Sequence, residues 1–309
     1  MTTIRGFIKR HPMLTYYALT FAISGGLALI VMGPAGFLGA QEAPETRVLA
    51  GALGLAGPSV AGILLTGLVY GRAGLRNLLS RFLRWRVGVR WYAVALLTAP
   101  LLNTVILLGL SLASPAFLPA IVTSTDKTSL LLSGIVTGLT VGFFEELGWT
   151  GFAIPELRRS HGVLSTGLIV GLLWGVWHFP LFSESAFSSE TVPPILYLAV
   201  LLFSWLLPYR VLMVWVYDRT ESLLVAMLMH VTITANASFI LRTPAVSDVQ
   251  NVISLLVWAA VLWFFVTVVA VANRGRSSER LPARSLEVRG VTSLGSGARR
   301  SGEKGGGFG

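Results

Sequence analysis

Four side chains capable of acid–base chemistry lie inside apolar stretches of this chain. Glu145 and Glu146 are adjacent in SLLLSGIVTGLTVGFFEELGWTGF, His178 sits in GLLWGVWHFPLF, and His230 sits in LLVAMLMHVTIT. Ionisable groups within membrane spans are expensive to place and usually face a polar cavity where they act. A carboxylate paired with a histidine can hold a water molecule and take its proton. Two histidines and one carboxylate, here Glu145, His178 and His230, also match the ligand count of a catalytic zinc site with an open position for water. Both routes lead to hydrolysis, and the residues leave zinc and metal-free chemistry open. The chain has no cysteine, so thiolate nucleophiles, disulfides and cysteine-ligated metals are excluded. It also lacks H-E-x-x-H, G-x-S-x-G and Walker A patterns.

These groups need helices to position them, and the composition supplies a membrane. Of 309 residues, 54% are hydrophobic and 12% charged, where a soluble domain carries about 25% charged residues. The mean hydropathy is +0.73. Eight stretches are long enough to cross a hydrocarbon core, near residues 13–33, 49–71, 91–112, 129–152, 163–182, 194–216, 222–241 and 250–272. They are continuously apolar rather than alternating, which indicates helices and not a barrel. The expectation is an all-α polytopic membrane protein of about eight transmembrane helices around an intramembrane polar cavity.

The net charge of +10 is a topology signal and not a mark of nucleic-acid binding. Arg5, Lys9 and Arg10 precede the first span. Arg72, Arg76, Arg81, Arg84, Arg86 and Arg90 separate spans two and three, Arg158 and Arg159 follow span four, and Arg219 follows span six. The alternate loops hold Arg47, Lys127 and Arg242 among acidic residues. Both termini are therefore expected in the cytoplasm, with the chain integral to a bacterial plasma membrane. Residues 1–12 read as a basic cytoplasmic arm and not a cleavable signal. Residues 13–272 form the membrane domain, and 273–309 read as a disordered basic tail. RAGLRNLLSRFLRWRVGVRW reads either as an interfacial amphipathic helix or as a basic loop that sets topology.

Two glycine ribs precede the ionisable groups: Gly134, Gly138 and Gly142 before Glu145, and Gly167, Gly171 and Gly175 before His178. Ribs at this spacing permit close helix approach, and packing of the two against each other would bring the carboxylates and the imidazole to one seam. The depths are less obliging. At 1.5 Å per residue, His230 lies roughly 14 Å, Glu145 roughly 20 Å and His178 roughly 27 Å from the cytoplasmic ends of their spans. Tilt, unequal helix ends and a kink before Pro155 would have to reconcile them.

EELGWTGF, WGVWH with Trp174 four residues before His178, and VWVYDRTESLLVAMLMH resemble the three ordered motifs of the CPBP family, the CAAX-protease or Abi family of intramembrane proteases. The resemblance covers roughly residues 70–240. It implies a peptidase in which Glu145 is the base, His178 its partner, Glu146 a supporting carboxylate, and His230 a metal or oxyanion ligand. It implies a peptide or membrane-protein substrate and, in one view of the family, a zinc ion. Trp174, Thr234 and Asn236 become candidates to touch substrate or oxyanion. Two positions depart from the family pattern. Thr150 stands where an arginine is expected, and Arg210 is the intramembrane cation that could substitute for it, unless it snorkels to the interface. Thr234 stands where asparagine is expected, with Asn236 two residues further on.

An intramembrane endopeptidase is the reading these features favour. An inactive relative serving as a binding, immunity or scaffold protein is the first alternative, because of Thr150. An ion-coupled transporter is the second, since buried Glu and His also build ion paths, although no inverted repeat is evident.

Overall fold

The computed structural model describes residues 4–272; the expected tail and the first three residues of the basic arm lie outside this range. The described residues are helical, without strands. In order they form α1 (Ile4–Arg10), α2 (Pro12–Phe37), α3 (Pro44–Gly54), α4 (Ala56–Phe82), α5 (Val89–Ser111), the short α6 (Ala120–Thr123), α7 (Lys127–Gly148), α8 (Ile154–Arg158), α9 (Val163–Trp177), α10 (Phe179–Phe187), α11 (Pro194–Leu201), α12 (Leu207–Thr220), α13 (Leu223–Ala235) and α14 (Asp248–Ala272).

Seven of the helical segments are long and apolar enough to cross a membrane, and the bent pair α9–α10 makes up to eight. The chain is an integral membrane protein. Side chains such as Ile30, Val105 and Ile195 stay exposed, as expected where the surrounding solvent is lipid. The fifth expected span is not straight: it turns by 61° where α9 meets α10, next to Pro180. Proline pre-sets the first turn of α2, α3 and α11, where its missing N–H costs nothing. Asp126 caps α7 by accepting from the Ser129 N–H at 2.9 Å, and Ser222 caps α13 by accepting from the Val225 N–H at 3.2 Å.

α12 runs through the centre of the bundle: every residue from Leu206 to Val214 is buried. Three π-helical turns interrupt the spans, at Trp149–Ala153, Leu202–Leu206 and Asn236–Ile240. Such wide turns commonly mark functional sites. Here they follow the Glu pair, precede Arg210 and follow His230.

The basic stretch after span two is more than a topology signal. α4 continues through Gly71, whose φ of 64° is open to glycine at little cost, as far as Phe82. The helix is amphipathic, with Leu79 exposed and Leu78 buried. Arg81 turns inward, donating to the Gly151 carbonyl and to the Tyr217 hydroxyl, each at 2.7 Å. The π turn breaks the regular i to i−4 pattern around Gly151, and the guanidinium supplies a donor there. At the same end of the bundle Arg158 is buried and pairs with Asp218 at 2.6 Å.

Candidate active site

The two adjacent carboxylates occupy different environments. Glu146 is fully buried, and both of its oxygens are saturated. Oε1 accepts from Arg210 Nη1 at 2.8 Å and from His230 Nδ1 at 2.6 Å. Oε2 accepts from Arg210 Nη1 at 3.1 Å and from the Thr150 hydroxyl. Glu145, 2% exposed, uses one oxygen: Oε2 accepts from the Trp174 indole N–H at 2.7 Å and lies 3.9 Å from His230 Nε2. No protein partner occupies its Oε1 among the described residues.

The histidines are oriented by their Nδ1 atoms. A carbonyl and a carboxylate can only accept, so His178 Nδ1–H donates to the Trp174 carbonyl at 2.7 Å and His230 Nδ1–H donates to Glu146 at 2.6 Å. Each neutral ring then keeps Nε2 as its free, basic nitrogen. Trp174 joins the two, with its ring edge-on to His178 at 4.8 Å and to His230 at 5.5 Å. The Arg210 guanidinium lies over the Trp174 ring, 4.1 Å from its centroid, a cation–π contact in a desolvated setting.

Arg210 does not snorkel. It is 0% exposed, because the buried α12 gives its side chain no path to the interface. Its guanidinium instead meets the carboxylate left without an arginine by Thr150, and Thr150 adds a hydroxyl to the same oxygen. Thr234 is half-buried one turn beyond His230. Asn236 turns back on its own helix, donating to the Thr232 carbonyl at 2.8 Å, and so does not join the cluster.

The glycine ribs do not pack on each other as the sequence suggests. Gly134, Gly138 and Gly142 press α7 against α13: a Cβ on Gly138 would lie 2.7 Å from the Val231 carbonyl oxygen, and one on Gly142 would lie 3.0 Å from that of Met227. Gly167 and Gly171 press α9 against α12, where a Cβ would meet Val211 at 2.7 Å and Leu207 at 3.2 Å. A rib specifies a face for close approach and says nothing of the partner. One rib thus delivers the Glu pair to His230, and the other delivers Trp174 and His178 to Arg210. The expected mismatch of depth does not keep His230 from the Glu pair, since His230 Nδ1 reaches Glu146 at 2.6 Å. Ser222 and Leu223 are fully buried, and Ser222 Oγ donates to the Arg84 carbonyl at 2.6 Å, so the start of α13 is packed against the residues that follow α4.

The cluster is enclosed and does not line an open cavity: Glu145, Glu146, His178 and His230 are all at most 7% exposed. Phe182 of α10 stacks on the His178 ring at 5.5 Å. α10 is tied in turn to α3 through Arg47, which pairs with Glu184 at 2.6 Å and donates to the Pro180 and Leu181 carbonyls at 3.3 Å. Among the described residues no three His, Asp or Glu side chains gather closely enough to hold a metal ion, while the Nδ1 contacts of His178 and His230 leave Nε2 of each ring as the nitrogen a metal would use.

Residues 127–235 match the model of the family described as Type II CAAX prenyl endopeptidase Rce1-like. The chain is also 26% identical over 128 residues to the protein named CAAX prenyl protease 2 of Methanococcus maripaludis. That alignment covers 41% of this chain and 47% of the relative, so it spans about half the relative's length. Over these residues the chain is similar to the CPBP family of intramembrane proteases. The CPBP match runs from α7 to the end of α13 and contains the Glu pair, Trp174, His178, Arg210 and His230. It leaves out α2, whose Tyr16 and Tyr17 pack against Trp149 at 5.6 Å and 6.1 Å between ring centroids. The sequence reading overlooked this aromatic wall, and also the inward role of Arg81. Tyrosines and arginines near helix ends normally read as interfacial anchors, so no local signal distinguished them.

Proposed function

We propose that this protein is an intramembrane endopeptidase in which Glu145 activates water. The observation that carries the reading is the asymmetry of the Glu pair. Carboxylates with contrasting environments take contrasting roles: Glu146 is consumed by Arg210, His230 and Thr150, whereas Glu145 keeps one oxygen without a protein partner. Glu145 Oε1 accepts a hydrogen bond from water and takes its proton as the oxygen attacks the scissile carbonyl. His178, linked to Glu145 through Trp174, which hydrogen-bonds to both, presents Nε2 to the same water. His230, held through Nδ1–H by Glu146 in the manner of a carboxylate-oriented histidine, stabilises the oxyanion of the tetrahedral intermediate in its doubly protonated form, in which Nε2–H is the donor. The proton on Glu145 then passes to the leaving amine as the C–N bond breaks, giving a carboxylic acid and an amine. Arg210 acts as a positioning residue that keeps Glu146 ionised and supplies the cation missing at Thr150.

The arginine distribution supports both termini on the cytoplasmic side. The substrate class is a peptide or membrane protein presented within the bilayer. The test compares terminal peptides in membranes containing the parent protein or Glu145→Gln at matched folded levels. Termini present with the parent and absent with the variant are expected, and identical profiles would overturn the peptidase reading in favour of a binding role.

A further inference from the structure

An intramembrane peptidase must accept a stretch of chain that is not helical, because the scissile carbonyl has to be reachable. In a dry setting every exposed backbone carbonyl of such a stretch then requires a donor from the protein. The described residues hold an unusual set of buried donors with no hydrogen-bond partner: Trp149 Nε1, Trp177 Nε1, the Tyr17 hydroxyl, and Nε and Nη2 of Arg210. Leaving a buried donor unsatisfied costs about 1–3 kcal/mol each, so their accumulation at one place asks for a ligand.

The rings of Tyr17, Trp149 and Trp177 form one chain of contacts that ends at the site. Tyr17 packs on Trp149 at 6.1 Å between ring centroids, Trp149 meets Trp177 edge-on at 6.1 Å, and Trp177 meets His178 at 4.9 Å. Trp149 and Arg210 are both 0% exposed. The chemistry is one-sided: indole and guanidinium groups only donate, and the tyrosine hydroxyl can donate. The neighbouring Glu145 and Glu146 only accept. A surface of donors beside a water-activating carboxylate is complementary to carbonyl oxygens.

We propose that Tyr17, Trp149 and Trp177 form a carbonyl-binding wall that holds an unwound segment of the substrate backbone beside Glu145, with α2 supplying part of it from outside the family-matched region. This rests on the peptidase reading and extends it. The substrate class is a locally extended peptide recognised through its backbone, with side-chain identity secondary. Trp149 and Trp177 are positioning residues for the peptide, and Tyr17 contributes the most easily deleted donor.

The test uses the full chain in detergent or vesicles and a peptide whose cleavage depends on Glu145. Tyr17→Phe removes the hydroxyl and little else. Its KM is expected to rise about three- to tenfold, the equivalent of one ordinary hydrogen bond, with kcat within about twofold of the parent. Its thermal midpoint should stay level or rise, because an unsatisfied buried donor has been deleted. Trp177→Phe should raise KM in the same way, and the two changes together should multiply. An unchanged KM in both variants overturns the wall while the peptidase reading stands. A clear fall in the midpoint of Tyr17→Phe without a change in KM shows a hydroxyl that serves the fold, and also overturns it. A parent protein that cleaves nothing in a Glu145-dependent way overturns the peptidase reading, and this inference with it.

Discussion

An Arg210→Met protein is expected to lose about 3–5 kcal/mol of stability, the usual cost of removing one partner from a buried ion pair. It should also lose Glu145-dependent cleavage. Methionine fills part of the space but leaves Glu146, 0% exposed, with only the His230 and Thr150 hydrogen bonds. A carboxylate so placed must either stay ionised without its cation or take up a proton. In both cases its hold on His230 at 2.6 Å changes character, and with it the ring that faces Glu145. The informative partner is Arg210→Ala combined with Thr150→Arg. Thr150 lies one turn from Glu146 and already touches it, and removal of the Arg210 side chain vacates room for a new guanidinium. The double variant is expected to recover a large part of the stability and some activity, which a double-mutant cycle would register as a coupling of about 0.5–3 kcal/mol. Reversible unfolding in mixed micelles measures the first quantity and cleavage of a reporter peptide the second. An Arg210→Met protein within about 1 kcal/mol of the parent would contradict a buried pair of this kind.

The second large effect belongs to a glycine. Gly138→Val is expected to destabilise the bundle by about 1–3 kcal/mol through overpacking. It should also cut turnover about 100-fold, the penalty associated with a displacement near 1 Å at a catalytic centre. The reason is the site of contact: a Cβ at Gly138 would stand 2.7 Å from the Val231 carbonyl oxygen, next to His230 in sequence. α13 cannot yield there without carrying His230 away from Glu146. Gly26→Ala is the matched control. It sits inside α2 with nothing within 4 Å of the added Cβ, so it should be neutral or gain about 0.5–1 kcal/mol from the helix preference of alanine. Equal losses from the two substitutions would show that the α7–α13 approach has no special place in the site.

Much of the helical framework was legible in the residues. The spans expected near 129–152, 194–216, 222–241 and 250–272 correspond to helical segments at 127–158, 194–220, 223–240 and 248–272, because long apolar runs in lipid have few alternatives to a helix. The bend after His178 was not anticipated, although Pro180 stands at the break, since a proline in a membrane helix can kink, end or be tolerated within it. Arg81 was read as part of a charge pattern. Its inward turn depends on a carbonyl exposed by a π turn 70 residues further on, which no local pattern records.

The candidate site divides in the same way. Glu145, Glu146, His178 and His230 stand out because ionisable groups are conspicuous among apolar neighbours, and residue type by itself determined that they were chemical candidates. Which carboxylate is saturated and which keeps an open oxygen was decided only by tertiary structure. Glu145 and Glu146 are neighbours in sequence, yet about 100° apart around a helix. That rotation turns one toward Arg210 of α12 and His230 of α13, and the other toward Trp174 of α9. The glycine ribs determined that two helices would be approached closely, and the fold chose α13 and α12 as the partners. Composition and hydropathy therefore determined a helical bundle in a membrane with acids and imidazoles inside it. The pairing of those groups came from helix packing, because hydrogen bonds of less than 3 Å between distant parts of the chain depend on rotation and depth, which a linear pattern does not encode.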